Sequence, residues 1–335
     1  YQTLERRAIG GAIGTVDTDE AFKTQVTNAA EALQGRVAGV SVTSGGAPGA
    51  APVIRIRGYS TTNDNSPLYV IDGIQTTDPN VMRDINPQDI ENISVLKDGS
   101  AAVYGARASN GVIVVTTKKG DYNTANSFTV NASYGISEVT RYPDMLNVQQ
   151  HADMTWQSIL NDGNVPTHPQ YGDGTKPVVP NFLNVPMPSG AEYEGAQAQV
   201  TPGGTDWFDS IFDTAEITNV SLSASGGGSE GRYLLSANYL KQEGVIIGNT
   251  GFERVGTRLN SEFKIGDNLT VSENLNITYD KEGTTTGNAI QNAAFSSPLV
   301  PVYDTNGNFA GTYSNAARVG IANNPVADLI RGQDD

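Results

Sequence analysis

A chain of 335 residues with 37 Gly, 17% charged residues and no Cys excludes a disulfide scaffold, a cysteine-ligated metal and a cysteine nucleophile. Its net charge of −15 is uneven: residues 1–120 carry 11 Lys+Arg and 12 Asp+Glu, a net of −1, and residues 121–335 carry the other −14. That balance excludes a basic nucleic-acid surface, and no window holds the roughly 20 consecutive apolar residues of a membrane helix.

Residues 1–120 read as a compact α+β domain. Ala8 to Val16 is expected to be extended, and Val26 to Leu33 a short helix stopped by Gly35. Strands are predicted at Val37–Thr43, Val53–Arg57, Leu68–Asp72, Ile93–Lys97 and Val112–Thr117, each flanked by Gly, Pro, Asn or Asp. Residues 86–91 read as one helical turn with Pro87 near its start. The small residues of Gly99–Gly105 suit a short helix packed closely on a sheet.

From Ser127 the pattern becomes strict alternation. Phe128, Val130, Ala132 and Tyr134 share one face; so do Val220, Leu222 and Ala224; so do Tyr233, Leu235, Ala237 and Tyr239. Val255, Leu259, Phe263 and Ile265 oppose Arg254, Arg258, Asn260, Glu262 and Lys264, and Leu269, Val271, Leu275, Ile277 and Tyr279 oppose Ser, Thr and Asn. Five segments of about ten residues at period two carry the mark of a transmembrane barrel. Tight turns at 226–231 and 266–268 alternate with long connections, as periplasmic turns and extracellular loops do. Glu273 breaks the apolar face of the fifth strand, and is expected at a local bulge or near the headgroups. Five strands at ~4.8 Å spacing cannot close around a domain of some 120 residues, roughly 30 Å across, so a larger barrel is expected.

Several stretches in order resemble the SusC/RagA type of TonB-dependent outer-membrane transporters. They are Ala32–Val40, Ile54-Arg55-Ile56-Arg57-Gly58, Pro67–Gly73, the run 93–120 with Val103–Gly120 at its end, Gly244–Ile247 and Leu299–Asn308. The resemblance implies a plug domain over 1–120 followed by the N-terminal part of a β-barrel over 121–335, the whole barrel having about 22 antiparallel strands. It implies TonB-dependent import of an oligosaccharide or a peptide across the bacterial outer membrane, by a multi-pass protein without enzyme activity or cofactor. The implied partners are a SusD-like surface lipoprotein and the TonB–ExbB–ExbD energising complex.

The same resemblance implies that Arg55, Arg57 and Arg107 form a latch between plug and barrel wall, with wall partners expected beyond Asp335. A guanidinium fork makes directional bonds that hold yet can be broken. Asp72 and Asp98 are the competing partners inside the domain. By the family pattern, Asn63, Asp64, Asn65, Thr76, Thr77 and Asp78 lie at outward-facing plug apices and are the candidate substrate contacts, although ordinary turn chemistry also explains them.

Other constellations point away from catalysis. Asp304-Thr305-Asn306-Gly307-Asn308 resembles the start of a calcium loop, but no Glu stands at the twelfth position, so no metal is expected. His151 falls in a helix predicted over Val148–Leu160, with Met154, Trp156 and Ile159 as its packing face, and His168 in a Pro-rich loop. No nucleophile–base arrangement can be built from them. A receptor or signalling barrel, or a secretion-associated barrel that keeps the plug fold, are the alternatives to import.

Overall fold

Apolar, β-branched Val112–Thr117 can lie only where both faces are covered, and it does: Val112, Ile113 and Val115 are fully buried. The computed structural model describes residues 13–16, 18–21, 26–62, 64–283, 288–312, 319–320 and 322–331. Of the expected first strand, residues 8–12 lie outside these, as does Asn63. The chain forms two compact units. One comprises Tyr1–Gly135, Glu216–Glu243 and Gly251–Glu282; the other Ile136–Ala215, Gly244–Thr250 and Gly283–Asp335.

In the first unit the strands before residue 120 are β1 (Ile13–Val16), β2 (Val40–Thr43), β3 (Val53–Ile56), β4 (Leu68–Ile71), β5 (Ile74–Thr76), β6 (Ile90–Leu96) and β7 (Val112–Thr117). They make a mixed sheet in the order β1-β6-β7-β4-β5 and a separate β2–β3 hairpin. Only β4 and β7 run parallel, with Leu68 beside Val112. One side of the sheet packs Ile93, Ile113 and Val115 against Leu33, Met82 and Ile85. The other side packs Leu68, Val70 and Val112 against Ala101 and Ala108 of two 3-10 turns.

Local chemistry revises several sequence expectations. Instead of a helix over Val26–Leu33 there is a 3-10 turn at Glu31–Leu33. Asn28 Oδ1 accepts the amides of Ala30 and Glu31 at 3.0 and 3.2 Å, and the Glu31 carboxylate accepts the Thr27 amide at 2.9 Å. Side chains thereby occupy donors that a helix would use. Val37–Thr43 becomes extended only from Val40, after Gly39 turns through φ 75°. The helical turn at 86–91 shrinks to 3-10 at Pro87–Asp89, capped by Asn86, and Ile90 already opens β6. Three elements were not expected: the helices α1 (Thr18–Ala21) and α2 (Val81–Asp84), and β5, which pairs back on β4.

The same unit holds five long strands: β8 (Thr124–Ser137), β9 (Ala215–Gly227), β10 (Gly231–Gln242), β11 (Phe252–Ile265) and β12 (Leu269–Glu282). They lie in chain order in one open sheet. The β11–β12 register runs unbroken from Phe252↔Glu282 to Ile265↔Leu269. Glu273 faces Ser261 within it, so the expected bulge does not exist and Glu273 stays on the apolar face. That face is open: Phe128 is 70% exposed and Tyr279 68%, with Val130, Ile277 and Phe263 also exposed. A sheet that turns such residues outward and keeps Arg, Asn and Ser on its other side is built for lipid.

The second unit gathers long connections around their own core of Trp156, Tyr171, Trp207, Phe208, Ile211 and Leu299. Helix α3 (Val148–Asn161) opens with a reciprocal cap between Asn147 and Gln150. It buries Val148, Ala152 and Trp156, whereas Met154 is exposed, because residues four apart share a face. His151 Nδ1 lies 2.7 Å from the Tyr171 hydroxyl, and His168 stacks on the same ring. The Asp304 carboxylate accepts the amides of Asn306 and Asn308, which explains that motif as a turn.

Candidate functional site: a polar seam between the inner domain and the wall

The polar face of the wall sheet meets the inner domain through side-chain bonds, and the densest knot is at Asp72. An Asp-Gly pair closes the β4–β5 hairpin, with φ 47° at Asp72 and 91° at Gly73. The turn projects the Asp72 carboxylate across the end of β7 and onto β11 and β12. It accepts the Thr117 amide at 2.9 Å, the Thr117 hydroxyl at 2.7 Å and Asn274 Nδ2 at 2.6 Å. Arg258 Nη1 pairs with it at 3.4 Å, and both side chains are nearly inaccessible. Beside them Asn260 Nδ2 donates to the Thr117 hydroxyl and to the Lys118 carbonyl, at 3.0 and 2.7 Å.

Asp89 makes a second tie. It is buried, and accepts the Ser236 hydroxyl of β10 at 2.8 Å. Burial pushes its carboxyl above the usual Asp range; the Ser236 bond, Arg258, Lys118 and Arg254 pull the other way without cancelling the effect.

The third tie centres on Arg83 of α2. Its guanidinium reaches Asp280 at 2.8 Å and Glu282 at 3.2 Å on β12, and Asp84 and the Gly49 carbonyl on its own domain. Phe252 lies under it, 5.3 Å from ring centre to guanidinium carbon. Arg254, 1% exposed, donates to the Arg83 carbonyl. Held by hydrogen bonds and ion pairs rather than by a shared apolar core, this seam can be released and remade in a wet lumen. Arg254 Nε, Arg258 Nε and Asn260 Oδ1 are buried there without a protein partner.

The three arginines singled out in the sequence find partners on their own domain. Arg55 lies over the Tyr59 ring at 4.6 Å. Arg57, itself at φ 59°, pairs with Asp98, their side chains 56% and 50% exposed. Arg107 Nη2 donates to Gln75 at 3.0 Å. The apex residues shape their own turns: Asn65 Oδ1 accepts the Ser60 and Thr61 amides, and Thr76 and Asp78 accept amides two residues on. Bonds from Ser66 hold the Asp64 carboxyl below its ordinary value. Thr77 is exposed. The seam residues Asp72, Arg83, Asp89, Arg254 and Arg258 were missed as a group. Alternation put both wall arginines on the polar face, but nothing in one sequence pairs them with residues over a hundred positions away.

Residues 5–112 match the family model of the TonB-dependent Receptor Plug Domain. Over 317 residues the chain is 32% identical to the TonB-dependent receptor P26 of Formosa agariphila, covering 93% of this chain and 29% of that protein. It is 33% identical to the TonB-dependent receptor SusC of Bacteroides thetaiotaomicron, over 90% of this chain and 28% of that one. The chain thus spans less than a third of these relatives' length. Among solved structures, the RagAB peptide importer in its "open-open" state superposes with a TM-score of 0.74 at 29% identity, covering 98% of this chain and 38% of its counterpart.

Proposed function

Because this chain belongs to the SusC/RagA type of TonB-dependent receptors, an outer-membrane β-barrel family, we propose that it imports a nutrient across the bacterial outer membrane. The nutrient is an oligosaccharide or a peptide; the described RagAB importer supports the second class, and the uncharged Ser, Thr and Asn rows of the wall suit either by hydrogen bonding. Residues 1–120 act as the plug and 121–335 contribute to the wall. A SusD-like lipoprotein captures substrate outside, and TonB, driven through ExbB and ExbD, pulls on the plug. Arg55, Arg57 and Arg107 serve as further latch points, since an exposed pair such as Arg57–Asp98 costs little to exchange for another carboxylate. Asp64, Asn65, Thr76, Thr77 and Asp78, with Asn63, offer the plug's polar contacts to substrate.

The observation that carries this reading is the seam itself. A wall built for lipid on one face holds a separate domain on the other by breakable polar bonds. The test is growth of a strain deleted for the gene on defined glycans and peptides, with and without functional TonB. Loss of growth on one substrate, restored by the full-length gene only when TonB works, is expected. Unchanged growth on every substrate overturns import and leaves the signalling reading.

A further inference from the structure

Two wall residues placed to pair with each other are both engaged by one residue of the plug. Arg254 of β11 and Asp280 of β12 stand directly opposite in the strand register. Their side chains therefore rise from the same face, with Cβ atoms about 5 Å apart, and opposite charges so placed attract. Neither uses the other. The Asp280 carboxylate accepts the Arg83 guanidinium at 2.8 Å, and the Arg254 guanidinium donates to the Arg83 carbonyl. On its other side Arg254 faces Leu240 of β10, whose side chain offers no acceptor.

Withdrawal of the plug strips both wall charges of Arg83 together and leaves them facing each other. Arg83 itself departs with Asp84 and the Gly49 carbonyl already bound, at 3.2 and 3.1 Å. The Asp72 knot is built differently. Arg258, which pairs with Asp72, stands opposite Ser236 and Asn276, so no wall carboxylate directly faces it once Asp72 leaves. A buried charge left alone is the main penalty for opening such a pair.

We propose that Arg254 and Asp280 form a partner-exchange clasp: their mutual ion pair, unmade while Arg83 engages both, forms as the plug leaves and stabilises the released state. The proposal rests on the reading of residues 1–120 as a plug that is withdrawn. It makes the Arg83 corner of the seam the easier to open and the Asp72 corner the harder.

The test is urea-induced plug release in the full-length protein in outer-membrane lipid, without TonB or substrate. Release is read by maleimide labelling of Ser236→Cys, a wall position 1% exposed beneath the plug, in a background otherwise free of Cys. Glu282→Gln is the control, because Glu282 also pairs with Arg83, at 3.2 Å, but stands opposite Phe252. It should raise the release constant about two- to fivefold, as loss of a solvated ion pair does. Asp280→Asn removes the shorter Arg83 pair, yet should raise release less than Glu282→Gln, or lower it, since the released-state pair goes too. In an Arg254→Met background that deficit should vanish. Asp280→Asn easing release as much as Glu282→Gln in the native background overturns the proposal, and so does a deficit that persists in Arg254→Met. The first comparison decides alone if Arg254→Met does not assemble. Import is read separately, by uptake in the same strains: absent wild-type uptake, with the variants ordered as stated, removes the import reading alone.

Discussion

Asp72 draws four donors to one carboxylate, so its loss is felt on both sides of the seam. Asp72→Leu leaves Arg258 buried without a counter-charge, and a cost of about 3–5 kcal/mol to the folded, plug-seated state is expected. Pairing it with Arg258→Met should recover part of that loss, because the orphaned charge goes too; denaturant titration of the full-length single and double variants measures the coupling. Additive losses would show that the pair does not act as a unit. Asp89 behaves in the opposite sense. A carboxyl raised on folding binds its proton more tightly in the folded state, so stability falls as pH rises from the ordinary Asp value of about 3.9 through the raised one. Asp89→Asn can still accept from Ser236, and should flatten that slope and melt no lower than wild type near neutral pH. A melting profile with the same slope would place the dependence elsewhere.

At the scale of elements, the seat of α2 against the wall depends on a close approach. Gly49, at φ 69°, lies against the Phe252 ring where a Cβ would clash, and its carbonyl holds Arg83. Gly49→Ala combines an unfavourable backbone with overpacking and should cost about 2–4 kcal/mol, read as plug release at lower denaturant. Wall strands were legible because lipid and lumen impose period two on every residue, as in Phe128–Tyr134 and Leu269–Tyr279. The plug was legible where burial dominates, as at β7, and not where side chains compete for backbone donors, as at Asn28 and Glu31. The hairpin at Asp72–Gly73 carried its turn signal in plain view. Three-residue β5 was too short to show a period, so the strand is read as ending at Asp72 and its carboxylate enters only as one competing partner for the plug arginines. The structure gives that carboxylate to Arg258 instead.

For the whole molecule, the two faces of the wall obey different solvents. Leu275, opposite Leu259 and midway along β12, lies on the outward face. Leu275→Lys should cost about 2–4 kcal/mol on insertion into a bilayer, seen as a lower folded fraction of full-length protein in lipid vesicles. The same exchange at Asn276, one residue on and facing inward, should cost much less; equal losses would contradict the assignment of faces. Glu273 interrupts the apolar run Leu269–Tyr279 on the outward face, and Ser261 stands directly opposite it on β11. Charge is divided too: the second unit holds 14 acidic and 4 basic residues, a net of −10, so anionic ligands approach these connections against a repulsive field.

The Asp72 turn has one more consequence, for exchange between relatives. Thr117 and Asp72 bond each other within the plug, and the same atoms receive Arg258, Asn260 and Asn274 from the wall. The plug is therefore not an interchangeable cartridge. Grafted into a barrel without those three side chains, it would keep its own hairpin but carry a half-served carboxylate at its rim. A working chimaera must move β11 and β12 along with it.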